Sequence, residues 1–253
     1  MMKIRCCMGL LALLLAFAGC QRGVDEYDES PQANVEALWR MIDEHYCFLD
    51  YKEQSLGFSW AGKREEYLGM VRPGMSRSQL FEVLCRMLST LKDGHVNIYS
   101  SMDVGRNWSW KDDYPENLDR ELRDKYLGTD YGIASGMKYR ILDDNIGYVV
   151  YESFSDGLGD GNLDEVLYYL RLCDGLILDI RGNSGGLVTN VERLAARFTN
   201  ERTLVGYISH KTGKGHNDFS KPRAEYISPA MDRVRWQKPV VVLVNRSCFS
   251  AAN

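Results

Sequence analysis

Apolar positions between residues 30 and 94 recur at three- and four-residue spacing, the period of an amphipathic helix. In the first stretch, Val35, Leu38, Trp39, Ile42 and Tyr46 share one face, Ser30 stands at the N-cap and Pro31 at the first helical position. A second helical piece is read over 63–71, ending before Arg72-Pro73-Gly74. The third opens on a capping box, Ser76 with Gln79, carries Leu80, Val83, Leu84, Met87, Leu88 and Leu91 at helical spacing, and runs to Asp93-Gly94. These three predict a small helical domain over 31–94. Beyond it the period changes. His95 to Tyr99 alternates like a strand, and the polar, Trp-containing stretch 103–128 gives little periodic signal. From Tyr139 onward, strands over 139–142, 146–151, 175–180, 204–209 and 240–244 alternate with helices over 163–172 and 187–198. The last strand, Val240-Val241-Val242-Leu243-Val244, is uninterruptedly apolar and reads as buried. That order predicts an α/β layer domain over 139–253 with some parallel pairing, joined to the helical domain by a connecting segment over 95–138.

The N-terminus is an address rather than part of the fold. Lys3 and Arg5 precede an apolar run from Met8 to Ala18 and then small residues, which is the pattern of a secretory signal peptide over 1–19. The run is too short to span a bilayer, which takes about 20 apolar residues. Cys20 follows Ala18-Gly19 directly and resembles the lipid-attachment cysteine of bacterial lipoproteins, with Phe17 where that motif usually has Leu. Residues 20–30 are polar, include four acidic residues, lack a packing period and read as a tether. The expectation is a chain held at a bacterial envelope by a lipid on Cys20, not crossing the membrane.

Composition bounds the remainder. With 45% hydrophobic and 26% charged residues the 253-residue chain is globular, and 31 Lys+Arg against 35 Asp+Glu offers no basic face for nucleic acid. Cys6, Cys7 and Cys20 fall in or beside the signal segment. The remaining Cys47, Cys85, Cys173 and Cys248 form no C-x-x-C pair, so no zinc ribbon and no metal or other cofactor is expected. Cys85 and Cys173 sit at apolar helix positions, as small core hydrophobes do. His45 is read as packed or capping. His210 and His216, flanking a Gly/Lys-rich hairpin, are read as solvated, and Asp43 as a surface charge.

Three loops at strand edges carry the candidate chemistry. Asp93-Gly94-His95 places a histidine where the third helix gives way to a strand; its bland alternative is a glycine C-cap followed by a polar rim residue. Leu178-Asp179-Ile180-Arg181-Gly182-Asn183-Ser184-Gly185-Gly186 is a strand breaking into a glycine-rich turn, whose backbone N–H groups suit an anion or a developing oxyanion. It is neither G-x-G-x-x-G nor a P-loop. In the third, the Val240–Val244 strand runs into Asn245-Arg246-Ser247-Cys248-Phe249-Ser250-Ala251-Ala252-Asn253, where a serine at a sharp turn is either a nucleophile or, as Ser247 or Ser250, a helix N-cap.

Together, and in this order, Asp-Gly-His, D-x-R-x-N-x-G-G and S-x-x-S-A-A resemble the tail-specific, or C-terminal processing, serine peptidases, whose tricorn-like branch uses a histidine upstream of the serine. The segment Asn145 to Phe154 is similar to the strand that precedes the family's glycine motif. The resemblance implies crotonase/ClpP-like αβ layers behind a small helical domain and hydrolysis of peptide bonds. By it Ser250 is the nucleophile and His95 the base, while the oxyanion donors are the N–H of Ala251 and that of Gly185 or Gly186. Asn253 stands where many members have Glu. The connecting segment 95–138 is well short of a PDZ domain, which many members carry. A non-catalytic peptide- or ligand-binding lipoprotein on the same scaffold is the alternative. Since the family continues with further strands and a partner for the base, the catalytic domain is expected to be truncated at its C-terminus.

Overall fold

The computed structural model describes residues 28–253, so the signal segment, Cys20 and most of the tether lie outside the described residues. The described residues fall into two compact units, 28–107 with Gly213–Asn217, and Trp108–Thr212 with Asp218–Asn253.

The first unit is helical. Helices α1 (Pro31–His45), α2 (Leu49–Leu56), α3 (Trp60–Leu68) and α4 (Arg77–Ser89) precede a short hairpin of β1 (Asn97–Tyr99) and β2 (Val104–Arg106). Local chemistry starts α1 and α4: the Ser30 hydroxyl accepts the Ala33 N–H at 3.1 Å, and Ser76 and Gln79 cap each other at 3.2 and 3.0 Å. The core gathers Val35, Trp60, Met87 and Leu91, all fully buried. The indoles of Trp39 and Trp60 each donate to the other's backbone carbonyl, at 2.9 and 3.1 Å, which satisfies both buried N–H groups and clamps α1 to α3. Sequence periodicity misses α2 because LDYKEQSL buries only Leu49. Tertiary contact sustains it, with the Glu53 carboxylate accepting the Trp60 N–H at 2.5 Å.

Two expectations are corrected here. Helix α4 ends at Ser89, and Gly94 is not its cap. Thr90, Leu91 and Lys92 donate to carbonyls three residues back, and Lys92 turns left-handed at φ +45°, so the chain leaves the helix before the glycine. His216 is half-buried rather than freely solvated, and Asp43 is more than a surface charge. The imidazole sits between two carboxylates, Nε2 2.7 Å from Asp43 and Nδ1 3.2 Å from Asp50.

The second unit is built on a five-stranded sheet in the order β3-β4-β5-β6-β9. Strands β3 (Gly132–Ala134), β4 (Met137–Ile141) and β5 (Ile146–Val150) form an antiparallel meander, and β6 (Gly175–Asp179) and β9 (Val240–Leu243) join β5 in parallel. Helix α5 (Arg120–Leu127) lies before the sheet in sequence, α6 (Asp160–Tyr169) connects β5 to β6, and α7 (Val188–Ala195) follows β6. A separate ribbon pairs β7 (Thr203–Ile208) with β8 (Arg223–Ile227). Side-chain alternation gives the sheet two apolar faces. Val149, Leu176 and Leu178 pack with Leu163, Val166 and Leu167 of α6, while Tyr148, Val150 and Ile177 pack with Leu127 of α5. Fully buried Arg197 fastens this unit by ion pairs to Asp160 and Asp164 and a 2.8 Å bond to the Val234 carbonyl. The expected elements thus recur with ends shifted by a few residues, whereas α5, β3 and β8 carry no periodic signal. The strand expected to be buried is not: Val241 is 56% and Val242 46% exposed, because β9 is the outer strand and pairs only with β6.

All four cysteines beyond residue 28 are free thiols; Cys173 and Cys248 are buried and Cys85 is half-buried. Among the described residues no helix is long and apolar enough to cross a membrane.

The His216 cluster makes the first unit's stability depend on pH. The Asp43 hydrogen bond, opposed by desolvation and aided by the charges of Asp43, Asp50 and Glu53, holds His216 above its ordinary 6.5. A raised folded value means that this stabilisation is complete below the unfolded value and is lost as pH climbs through the folded one. His216→Gln is expected to lower the thermal midpoint near pH 6 and to cost almost nothing near pH 9; an equal cost at both would contradict the ion-pair reading.

Candidate active site

The site of the second unit begins where β6 ends. Asp179 is buried beneath the turn and spends its charge locally. Its carboxylate takes the Tyr148 hydroxyl at 2.9 Å and the Arg181 guanidinium at 2.9 and 2.6 Å, and the Arg181 N–H adds a bond at 3.1 Å. Desolvation alone would raise its pKa. The bonds from Arg181 and Tyr148, with the charge of Arg181, outweigh that and hold it below the ordinary carboxylate value. The same burial and the neighbouring anion push the Tyr148 phenol up, so Tyr148 remains a donor. The sequence motif D-x-R is therefore the foundation of the turn: an ion pair that fixes where the strand stops.

Two asparagines then shape the glycine turn. Asn183 is fully buried; its Nδ2 donates to the Tyr151 carbonyl at 2.9 Å, its Oδ1 accepts the Gly185 N–H at 2.8 Å, and its backbone carbonyl accepts the Phe249 N–H at 3.1 Å. Asn245, at the end of β9, accepts the Gly182 N–H at 2.9 Å and the Ser247 N–H at 3.2 Å. Each side chain thus ties the β6 turn to another strand end, β5 through Asn183 and β9 through Asn245. In the sequence Asn183 is a motif member without an evident role and Asn245 merely the residue that follows the last strand. The available signal was an asparagine just past a strand end, where the side chain can close an Asx turn on the backbone.

Against this turn rests the serine. Ser250 is exposed and adopts φ +56°, rare for a residue with a Cβ, at the head of a single 3-10 turn, Ser250–Ala252. Left-handed backbone at a non-glycine residue costs on the order of 1–3 kcal/mol and persists where the surroundings impose it. Here Cys248 and Phe249 impose it. The Cys248 thiol donates to the Ile180 carbonyl at 3.1 Å, and the Phe249 N–H is held by Asn183. Gly185 (φ +82°) passes so close that a Cβ there would lie 2.8 Å from the Ser250 Cβ and 2.9 Å from the Ala251 nitrogen. At Gly186 (φ +142°) a Cβ would enter the Phe154 carbonyl group and the Ser155 nitrogen. Gly185 therefore lies directly against Ser250 and Ala251, while Gly186, next in the chain, packs on Phe154 and Ser155. The helix N-cap reading of Ser250 has no support, since neither Ser250 nor Ser247 caps a helix.

His95 belongs to the first unit. It follows the tightened end of α4, where its backbone N–H donates to Asp93 Oδ1 at 2.9 Å and its Nδ1 lies 3.1 Å from the same oxygen. As to metals, Asp50, Glu53 and His216 each bring a ligand atom within 4.8 Å of the others. Both nitrogens of His216 face carboxylates and its pKa is raised by them, the signature of an imidazolium ion pair.

Residues 145–253 match the model of peptidase family S41, and residues 27–89 that of the tricorn protease C1 domain. A crystal structure of a candidate peptidase from Parabacteroides merdae is 48% identical with a TM-score of 0.82, over 89% of this chain and 70% of that one. Mature CPAF shares the fold at 12% identity and a TM-score of 0.64, over 88% of this chain and 80% of its own. None of the curated protein sequences matches. The chain belongs to peptidase family S41, the tail-specific serine peptidases.

The closeness of Gly185 to the serine has a direct consequence. Gly185→Ala forces a Cβ against Ser250 and Ala251 in a left-handed position, and overpacking of this kind typically costs about 1–3 kcal/mol of stability. The thermal midpoint of Gly185→Ala is expected to fall by several degrees, while a Gly157→Ala control, at a position with open space, stays near that of the wild type. Equal midpoints for both variants would refute the close approach.

Proposed function

We propose that the chain hydrolyses peptide bonds with Ser250 as nucleophile and His95 as base, anchored to a bacterial envelope membrane through lipid on Cys20. The observation that carries the reading is the left-handed Ser250 pressed against the Gly185-Gly186 turn. In a family of serine peptidases such an elbow presents the hydroxyl to the substrate and the following N–H to the developing charge. His95 takes the proton from the Ser250 hydroxyl as its oxygen attacks the scissile carbonyl. The tetrahedral oxyanion is held by backbone N–H groups, and the proton passes from His95 to the departing amine. Water, deprotonated by His95, then releases the acid and restores the serine.

The second oxyanion donor, beside Ala251, follows from hydrogen-bond accounting. The Gly185 N–H is already given to Asn183, which favours Gly186 over Gly185. On this reading Gly185 serves by conformation and Gly186 by donation. The Cys20 anchor is supported by the sequence pattern at its position and lies outside the described residues.

A fluorophosphonate probe with intact-mass readout tests the proposal. One adduct per chain is expected, absent in Ser250→Ala and formed on the order of 100-fold more slowly in His95→Gln, the usual weight of a general base. An adduct that survives Ser250→Ala, or absence of both labelling and peptidase activity in the wild type, would favour a binding protein on this scaffold. Radiolabelled palmitate incorporated by wild-type cells but not by Cys20→Ser cells tests the anchor.

A further inference from the structure

The base proposed above needs a defined tautomer, and the first unit contains a group able to set it. The Tyr46 hydroxyl, at the end of α1, donates to Asp93 Oδ2 at 2.5 Å. The other carboxylate oxygen accepts the His95 backbone N–H and faces His95 Nδ1. Asp93 is only 11% exposed at its side chain, against 54% for His95, so the carboxylate is a sheltered anchor and the imidazole projects from it. A local Asx turn would need only the backbone N–H. The contact to Nδ1 and the capture of the second oxygen by a residue 47 positions away go beyond that requirement.

We infer that Asp93 is a positioning residue of the reaction: it holds His95 by Nδ1, so that the Ser250 proton is received at Nε2, and Tyr46 keeps the carboxylate in place. This rests on His95 being the base. An ionised carboxylate only accepts, so its neighbour Nδ1 must carry the hydrogen, and the basic lone pair of the neutral ring is then on Nε2. When the proton leaves the serine oxygen for Nε2, the imidazolium charge is met by Asp93 across the Nδ1–H bond. Asp93 stays ionised, and the proton later goes to the leaving amine.

The surroundings keep each member in the required state. Desolvation pushes Asp93 upward, but the Tyr46 and His95 bonds and the charge of His95 prevail, so it lies below the ordinary carboxylate value. Burial, the bond to Asp93 and the charges of Asp93 and Cys47 push the Tyr46 phenol up, which keeps it a donor. From α2, Lys52 donates to the Lys92 carbonyl at 3.2 Å and steadies the left-handed residue just before Asp93.

The test is the inactivation of the full chain by a fluorophosphonate, read as kinact and KI, together with the nitrogen chemical shifts of the His95 ring. Asp93→Asn is expected to lower kinact about 100-fold at unchanged KI and to shift the neutral ring away from the Nδ1–H tautomer. Tyr46→Phe, which leaves the carboxylate intact, is expected to lower kinact about tenfold with the same tautomer drift, and it decides the matter should Asp93→Asn fail to fold. If His95→Gln slows labelling on the order of 100-fold while Asp93→Asn and Tyr46→Phe both stay within about threefold of wild type and the tautomer is unchanged, the role of Asp93 is overturned. If His95→Gln itself labels at the wild-type rate, the assignment of the base falls and this one with it.

Discussion

The second unit hangs on the side chain of Asn183. It is fully buried and ties the end of β5, through the Tyr151 carbonyl, to the glycine turn, through the Gly185 N–H, while the Asn183 backbone carbonyl holds the serine segment through the Phe249 N–H. Buried polar groups are costly unless every partner is supplied, and a satisfied network therefore specifies one geometry. Here the geometry it specifies is the strained one, a left-handed Ser250 with Gly185 too close for any side chain between them. The strain at the serine is sustained by hydrogen bonds elsewhere, as sites of this kind require.

Beneath that network lies a charge arrangement that sets its base. Asp179, buried at the strand end, is compensated by Arg181 and Tyr148, and removing a partner from such a pair typically costs about 3–5 kcal/mol. The two apolar faces of the sheet, covered by α6 and α5, hold this strand end at fixed depth. In the first unit a smaller arrangement follows the same logic. The tightened end of α4 and the left-handed Lys92 bring Asp93 to the Tyr46 hydroxyl and His95 to Asp93. Both units thus use a sheltered acid to fix its neighbours, Tyr148 and Arg181 in one and His95 in the other.

Much of this was legible from residues alone, for identifiable reasons. The capping boxes and 3.6-residue periodicity located α1 and α4, because their apolar faces form the helical core. The glycine motif and the small residues after Phe249 located the site, because only glycine tolerates the close approach at 185 and 186. What stayed hidden was held by tertiary contact. Helix α2 has almost no apolar face, and Glu53 supports it from the side. Val240 to Val244 looked like a buried strand because hydropathy reports composition, whereas burial depends on neighbours, and β9 has a strand on one side only. His216 looked solvated because its partners, Asp43 and Asp50, lie more than 160 residues earlier. Asn183 and Asn245 were invisible as organisers since an asparagine's role depends on which backbone groups the fold brings to it.

On the proposed mechanism the Gly185-Gly186 turn, held by Asn183, presents one N–H to the reaction and keeps the other for structure. The measurement that decides this is a crystal structure of the chain with a phosphonate on Ser250. The phosphoryl oxygen is expected about 2.7–3.1 Å from the nitrogens of Gly186 and Ala251, with the Gly185 N–H still bonded to Asn183. An oxygen bound instead by the Gly185 N–H, with the Asn183 bond broken, or one bound by neither glycine, would contradict it.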